Sequence, residues 1–267
     1  MMNPEQWILR ESDKGFLSFE KQIQMEKRFG LSRREAEKFV LEMGLMPERY
    51  IRNPWDANAQ KKLLHSTLAI VGCGALGSAL LEQWLRLGAG VLKVMDPDVF
   101  APSNLNRQML LRESDLGRPK VEVAARRAAE VNPALYIITV QDVFCDGTAD
   151  EFLDGVDLVL DALDNIPDRL FLEKACAARG ITLIHGAISG WAGQVAVCRP
   201  GAGLLSFIYG RAEIHESRAV GNPVFGVAAT AGLQVSLACR VLMGEKTGCG
   251  PWFLDFSGPE WVDMEIF

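Results

Sequence analysis

Apolar and polar positions recur along the chain with two different periods. In residues 1–45 the period is helical. Ala36, Phe39, Val40 and Met43 follow Ser32-Arg33-Arg34-Glu35, and Gly44 closes the run. That four-residue stretch has the form of a capping box, in which a hydroxyl and a carboxylate each satisfy an orphan backbone N–H. A helical extension is predicted here. Residues 46–63 contain Asn53-Pro54 and no sustained period, which predicts an arm or linker. From residue 64 to 267 short apolar runs alternate with amphipathic ones. Ser66–Val71, Val91–Met95, Tyr136–Val140, Val156–Leu160, Ile181–Ile184 and Gln194–Cys198 read as strands. Ser78–Leu87, Pro119–Glu130, Thr148–Leu153 (with Thr148 and Glu151 as a second capping box), Asp168–Arg179 and the small-residue-rich Gly226–Met243 read as helices. Strands alternating with helices predict an α/β fold: a doubly wound, mainly parallel sheet with helices on both faces.

Composition narrows the picture. An apolar fraction of 49% in 267 residues supports one sizeable core. No apolar run approaches the roughly 18 residues that span a bilayer. Met1 to Gly15 is polar and of mixed charge, unlike a secretory signal, so the expected setting is cytoplasmic, without membrane contact. Net charge is −6 and there is no dense Lys/Arg block, which argues against a nucleic-acid groove. Six cysteines occur without a C-x-x-C pair. Buried, reduced thiols are expected rather than a disulfide framework or a four-cysteine zinc site.

The first strand runs straight into Gly72-Cys73-Gly74-Ala75-Leu76-Gly77, then a helix, then a second strand ending on Asp96. Strand, glycine-rich turn, helix, strand and acid make up the βαβ unit of a Rossmann-like nucleotide site. Gly72, Gly74 and Gly77 let backbone approach phosphate oxygens, and the backbone N–H of Ala75 remains available. The helix start offers unpaired N–H groups. Asp96 is placed to accept hydrogen bonds from ribose hydroxyls. Taken alone, this pattern points most often to NAD or FAD.

The residues after Asp96 change the balance. Ser103-Asn104-Leu105-Asn106-Arg107-Gln108 lies in a loop at the ligand edge, and Lys120 begins a helix. Two cations exceed what a pyrophosphate bridge needs but suit a triphosphate. Asp164-Asn165, beyond a later strand, offers hard oxygen for Mg²⁺ bridging phosphates. The plainer alternatives are a solvated helix lysine for Lys120 and a helix N-cap for Asp164. His185 reads as sheet-edge structure, and His65 and His215 form no Ser-His-Asp arrangement.

These stretches, with Arg49-Tyr50-Ile51-Arg52, Asp96-Pro97-Asp98, Gly117-Arg118-Pro119-Lys120, His185-Gly186-Ala187 and Gly193-Gln194-Val195, carry a resemblance. The chain resembles the bacterial ubiquitin-activating-type family, the HesA, MoeB and ThiF adenylyltransferases, from residue 49 to about 244. That resemblance implies ATP-dependent adenylation of the C-terminal glycine of a ubiquitin-like sulfur-carrier protein ending in Gly-Gly. It places the Gly74–Gly77 turn against the nucleotide, with Asp98 beside it and Asp96 on the ribose. It also implies Asn104, Arg107 and Lys120 on the phosphates, Asp164 on Mg²⁺ with Asn165 alongside, and Arg52 reaching into a partner's site in a homodimer.

The chain departs from that pattern in three places. Where relatives hold zinc with two C-x-x-C pairs, it has Leu205-Ser206-Phe207-Ile208 and a single Cys249, so zinc is not expected. Packing by Phe207, Ile208, Trp252 and Phe253 is the expected substitute. The crossover loop near Gly210–Asn222 lacks cysteine, which implies an enzyme that stops at the adenylate and leaves sulfur delivery to another protein. Ala75 stands where many members have a third glycine. Two rival readings stay open at this point: an NAD-dependent oxidoreductase on the same fold, and a non-catalytic module that binds a ubiquitin-like partner.

Overall fold

The computed structural model describes residues 2–210 and 221–258. Helices α1 (Pro4–Glu11), α2 (Phe19–Phe29) and α3 (Arg33–Glu42) form the extension, and Ser32 and Glu35 make the expected capping box. Trp7, Ile8, Leu17, Met25, Ala36 and Val40 give the extension a small core of its own.

The stretch expected as a linker is largely folded. Strand β1 (Phe16–Leu17) pairs in parallel with β2 (Met46–Pro47), a 3₁₀ turn covers Glu48–Tyr50, and α4 spans Ala57–His65. Tyr50 anchors this segment. It is buried with Leu41, Met46 and Leu64, and its hydroxyl donates to fully buried Glu37 at 3.0 Å. Its ring lies against Gly88, where a side chain would collide with it. The Arg34 guanidinium donates to the carbonyls of Gly90, Leu64 and Ala134, so α3 is tied to the main sheet.

That sheet has seven strands in the order β5-β4-β3-β6-β7-β8-β9 among the described residues. The strands β3 (Thr67–Val71), β4 (Val91–Met95), β5 (Tyr136–Val140), β6 (Leu158–Asp161) and β7 (Thr182–Ser189) are parallel. β8 (Ala192–Cys198) and β9 (Trp252–Asp255) add antiparallel. One face is covered by α5 (Ala75–Leu87), α6 (Lys120–Val131) and α10 (Val224–Met243), around Leu80, Trp84, Val121 and Ala231. The other carries α7 (Asp146–Leu153), α8 (Ile166–Ala178) and α9 (Leu204–Tyr209), around Phe152, Leu172, Cys176 and Leu205. Both faces are buried, which explains why β3 and β6 read as near-continuous apolar runs.

Several expectations need correction. Helix α10 is 20 residues long, with a mean hydropathy of 1.5 over its most apolar window, and is long and apolar enough to span a bilayer by those measures. Half of that window is buried within the fold, where Gly226, Val227, Ala231 and Ala238 let it pack closely. Thr148 is not the cap of α7. It lies inside the first turn, and its hydroxyl accepts the Cys145 N–H at 3.0 Å. Pro119 is the cap of α6 rather than its first residue. Of the four residues expected to replace a zinc site by packing, Phe207 and Phe253 are exposed, at 82% and 72%; only Ile208 and Trp252 are partly buried. Cys145 and Cys249 are exposed, against the expectation of buried thiols throughout. The crossover loop from 211 to 220, with His215, lies outside the described residues.

Candidate active site

Strand register assembles the site. Val71 pairs with Met95 on one side and with Asp161 on the other, so three neighbouring strands end level. The residues that follow, Gly72, Asp96 and Ala162, therefore emerge side by side at the carboxyl edge. β3 is the strand flanked by β4 and β6, the point where strand order reverses and where ligands bind in open α/β sheets.

Two glycines are needed for close approach. Gly72 has φ +93°, and a Cβ there would sit 2.6 Å from the Ala162 carbonyl oxygen. A Cβ on Gly77 would run into the Gly72 carbonyl. Gly74 differs: it caps α5 without a side-chain hydrogen bond, and a Cβ there would meet only Gln108 Nε2, at 3.7 Å. No cap side chain therefore takes up the first N–H groups of α5, from Ala75 on. Their partial positive charge suits an anion.

Asp96 is 5% exposed and organises this edge. Its Oδ2 accepts the Cys73 N–H at 2.6 Å, and its Oδ1 accepts the Asp98 N–H at 2.8 Å. Lys120 Nζ lies 3.4 Å from Asp96 Oδ1 and 2.8 Å from Asp98 Oδ2. The lysine is held in place because its own N–H donates to the Asp98 carbonyl at 3.0 Å. It is buried, so the alternative of a solvated helix lysine is corrected. Burial disfavours its charge, but the hydrogen bond to Asp98 and the charges of Asp96 and Asp98 prevail and raise its pKa above the ordinary lysine value. A permanent cation is therefore fixed beside the glycine turn.

The loop after Asp96 is built around a 3₁₀ turn, Pro102–Asn104. Asn104 Oδ1 accepts the Ala101 N–H at 2.9 Å, and its carbonyl accepts N–H groups of Arg107 and Gln108. Arg107, half-buried, donates from Nη1 to the Ser103 carbonyl at 2.8 Å and to Asn106 Oδ1 at 2.9 Å. The loop is tied to α5 where Met109 N–H donates to Ser78 Oγ at 3.1 Å. Gln108 is the residue that sequence reasoning passed over as a mere part of the motif. It is 6% exposed, its Oε1 has no partner, and its Nε2 faces Gly74.

On the other side of the glycine turn, Ala162 begins the turn that leads to Asp164. Asp164 is exposed. Asn165, not Asp164, is the N-cap of α8: its Oδ1 accepts the Asp168 N–H at 2.9 Å and its Nδ2 donates to Asp168 Oδ2 at 2.7 Å. Asn165 is thus engaged in capping, and Asp164 is the open oxygen group. Among the described residues no three His, Cys, Asp or Glu side chains converge into a metal cage. Asp164 is the residue here that would hold a magnesium ion, an ion that usually takes one or two carboxylates and completes its shell with phosphate oxygens and waters. Arg52 is exposed in the turn after Tyr50, apart from the strand ends. His185 is not at a sheet edge: it is fully buried in β7, bonded to Asp161 and Tyr209.

With this edge described, comparison with known proteins is decisive at family level. Residues 48–261 match the ThiF family. The chain belongs to that family. It is 31% identical to the sulfur carrier protein ThiS adenylyltransferase of Escherichia coli, over 78% of this chain and 85% of that protein. It is 38% identical to the SAMP-activating enzyme E1 of Haloferax volcanii, over 53% of this chain and 52% of that protein, so it spans only about half the length of that curated relative. Among solved structures, PaaA shares the fold with a TM-score of 0.65 at 18% identity, covering 92% of this chain and 75% of that one.

Proposed function

We propose that this ThiF-family chain adenylates the C-terminal glycine carboxylate of a ubiquitin-like sulfur-carrier protein ending in Gly-Gly, using Mg·ATP. The observation that carries the reading is a buried lysine, Lys120, fixed as a cation beside an uncapped helix start and a glycine turn. Together with Arg107 this charge exceeds what the pyrophosphate bridge of a dinucleotide needs. A triphosphate transferring its α-phosphoryl group has a use for it.

The site's residues divide the work. The α5 N-terminus and Lys120 meet the phosphates, joined by Arg107 once its guanidinium leaves Ser103 and Asn106. Asp96 Oδ2 retains an accepting position for a ribose hydroxyl. Asp164 would hold Mg²⁺, whose contribution when bound is to offset phosphate charge. The carrier carboxylate is ionised at neutral pH, so its oxygen bonds to the α-phosphorus as pyrophosphate leaves, with no general base needed. Arg52 is assigned to a second subunit's site, which makes the active form a homodimer. Burial pushes the thiols of Cys73, Cys176 and Cys239 up to about 12. None of these three is a ready nucleophile; the reading that the enzyme ends at the adenylate rests on the absence of cysteine from the crossover loop, residues 210–222.

The test is carrier-dependent ATP–pyrophosphate exchange, together with titration by Mg·ATP and by NAD. Exchange that disappears in Arg107→Ala and in Asp164→Ala, both folded, is expected. Tight NAD binding without ATP binding would overturn the proposal in favour of an oxidoreductase.

A further inference from the structure

Asp161, the last residue of β6, is a fully buried carboxylate that the adenylation chemistry does not use. Its Oδ1 accepts the Leu163 N–H at 2.9 Å. Its Oδ2 meets His185 Nδ1 at 2.6 Å, and Arg169 Nε lies 3.7 Å away. Arg169 also donates from Nη2 to the Leu163 carbonyl at 2.6 Å. From the opposite face of the sheet, Gln234 Nε2 donates to the Asp161 carbonyl at 2.9 Å. Gln234 reaches it because residue 186 is glycine, since a Cβ there would strike the Gln234 amide. Side chains from β7, α8 and α10 thus fix residues 161 and 163, immediately before Asp164. His185 is itself held from its other nitrogen, with Nε2 2.9 Å from the Tyr209 hydroxyl at the end of α9. The start of α9 is fixed too, because the Glu173 carboxylate accepts the N–H groups of Leu205 and Ser206 at 2.7 and 3.1 Å.

Asp164 is exposed, with little burial of its own to hold it. Its placement beside the glycine turn is set by the three residues before it and by the Asn165 cap after it, whose Nδ2 lies 3.5 Å from Asp164 Oδ1. We propose that His185 and Arg169 are positioning residues: through Asp161 and Leu163 they set the turn that presents Asp164 to metal-bound phosphates. The inference rests on the adenylation reading above. It goes beyond it in giving a task to a buried Asp–His pair on β6 and β7, across β3 from the β4 strand that leads into Asp96. Misplacing a ligand-bearing group by about 1 Å can cost a hundredfold in rate.

Mn²⁺ serves as the probe. Its binding with ATP is followed by electron paramagnetic resonance, and exchange is measured across a Mg²⁺ series. His185→Ala is expected to weaken Mn²⁺ binding in the ATP complex by roughly 10-fold or more, the usual effect of removing a group that orients a metal ligand. The Mg²⁺ level for half-maximal exchange should rise in parallel, while metal-free ATP binding in EDTA stays as in wild type. His185→Asn, whose amide N–H stands in for Nδ1–H, should recover most of the loss. If His185→Ala does not fold, as judged by circular dichroism, Arg169→Gln carries the test with the same expected shift. Metal dependence unchanged in the folded variants, alongside normal Mn·ATP binding by wild type, overturns the positioning role and leaves adenylation standing. Wild type that binds no Mg·ATP overturns adenylation itself, and the positioning role with it.

Discussion

Lys120 is the side chain on which site chemistry and local stability both turn, and Lys120→Met separates them. The substitution keeps the aliphatic stem and removes an ammonium 2.8 Å from Asp98 and 3.4 Å from Asp96. Breaking a fully buried ion pair typically costs about 3–5 kcal/mol. Here the cost should be lower, about 1–2 kcal/mol, because Asp96 keeps two backbone N–H donors and the Asp98 side chain is 66% exposed to water. The catalytic loss should be larger, since a fixed charge at developing phosphate negativity is worth about 2.7–4 kcal/mol, or a hundred- to thousandfold in rate. ATP–pyrophosphate exchange and urea unfolding of the same preparations measure the two effects. The pH dependence supplies a control. The folded pKa of Lys120 is raised above 10.5, so its stabilisation is fully present below pH 10.5 and fades as pH climbs through the folded value. The stability gap between wild type and Lys120→Met should therefore be constant through neutral pH and narrow above pH 10.5. Exchange within threefold of wild type, or a gap that widens in alkali, refutes the assignment.

Three further outcomes follow from the same geometry. Gly77→Ala should destabilise by about 1–3 kcal/mol and lose nucleotide binding, because its methyl must displace the Gly72 carbonyl; chemical denaturation and ATP titration check both. At pH 8 iodoacetamide should label exposed Cys145 and Cys249 quickly, as read by mass spectrometry. Cys73, Cys176 and Cys239, pushed up to about 12 and buried, should be protected until unfolding, with only about one thiol in ten thousand ionised. Arg52→Ala should regain exchange in mixed dimers with an inactive Lys120→Met subunit that supplies an intact arm, and mixing without any gain counts against the shared-arm assignment.

How much of this was legible in sequence depends on the range of the interaction. The βαβ unit was legible because its signals are local: an apolar run, glycines at fixed spacing and a terminal acid at Asp96. The Ser103–Gln108 loop was legible for the same reason. What escaped was whatever depends on contacts between distant segments. The 46–63 stretch looked like a linker because its order comes from Tyr50 packing on Gly88 and Glu37, not from any period of its own. Gln108 looked like a motif neighbour until the fold buried it against Gly74. His185 looked peripheral because its partner, Asp161, lies 24 residues away in sequence. Asp164 and Asn165 show the limit of local reading, since either could cap α8 and only the helix's true start decides which.

The ligand-free charges lead to one more expectation. Asp96, Asp98 and Asp164 set three carboxylates around the edge against two cations, Lys120 and Arg107. Lys120 is already engaged by Asp96 and Asp98, and Arg107 by the oxygens of its own loop. Bare ATP therefore meets an edge whose cations are partly neutralised and whose acids repel it. Two unit charges about 8 Å apart at an effective dielectric near 20 interact by about 2 kcal/mol. One uncompensated carboxylate is thus enough to weaken ATP binding by roughly tenfold or more. Asp164 would hold a divalent ion, whose charge would offset that repulsion, and Lys120 would then exchange exposed Asp98 for a phosphate oxygen. Calorimetric titration with ATP in EDTA and in excess Mg²⁺ should show at least a tenfold difference, and Asp164→Asn should narrow it from the metal-free side by binding bare ATP better than wild type. Equal affinity with and without the metal would mean that the acids of this edge do not face the phosphates.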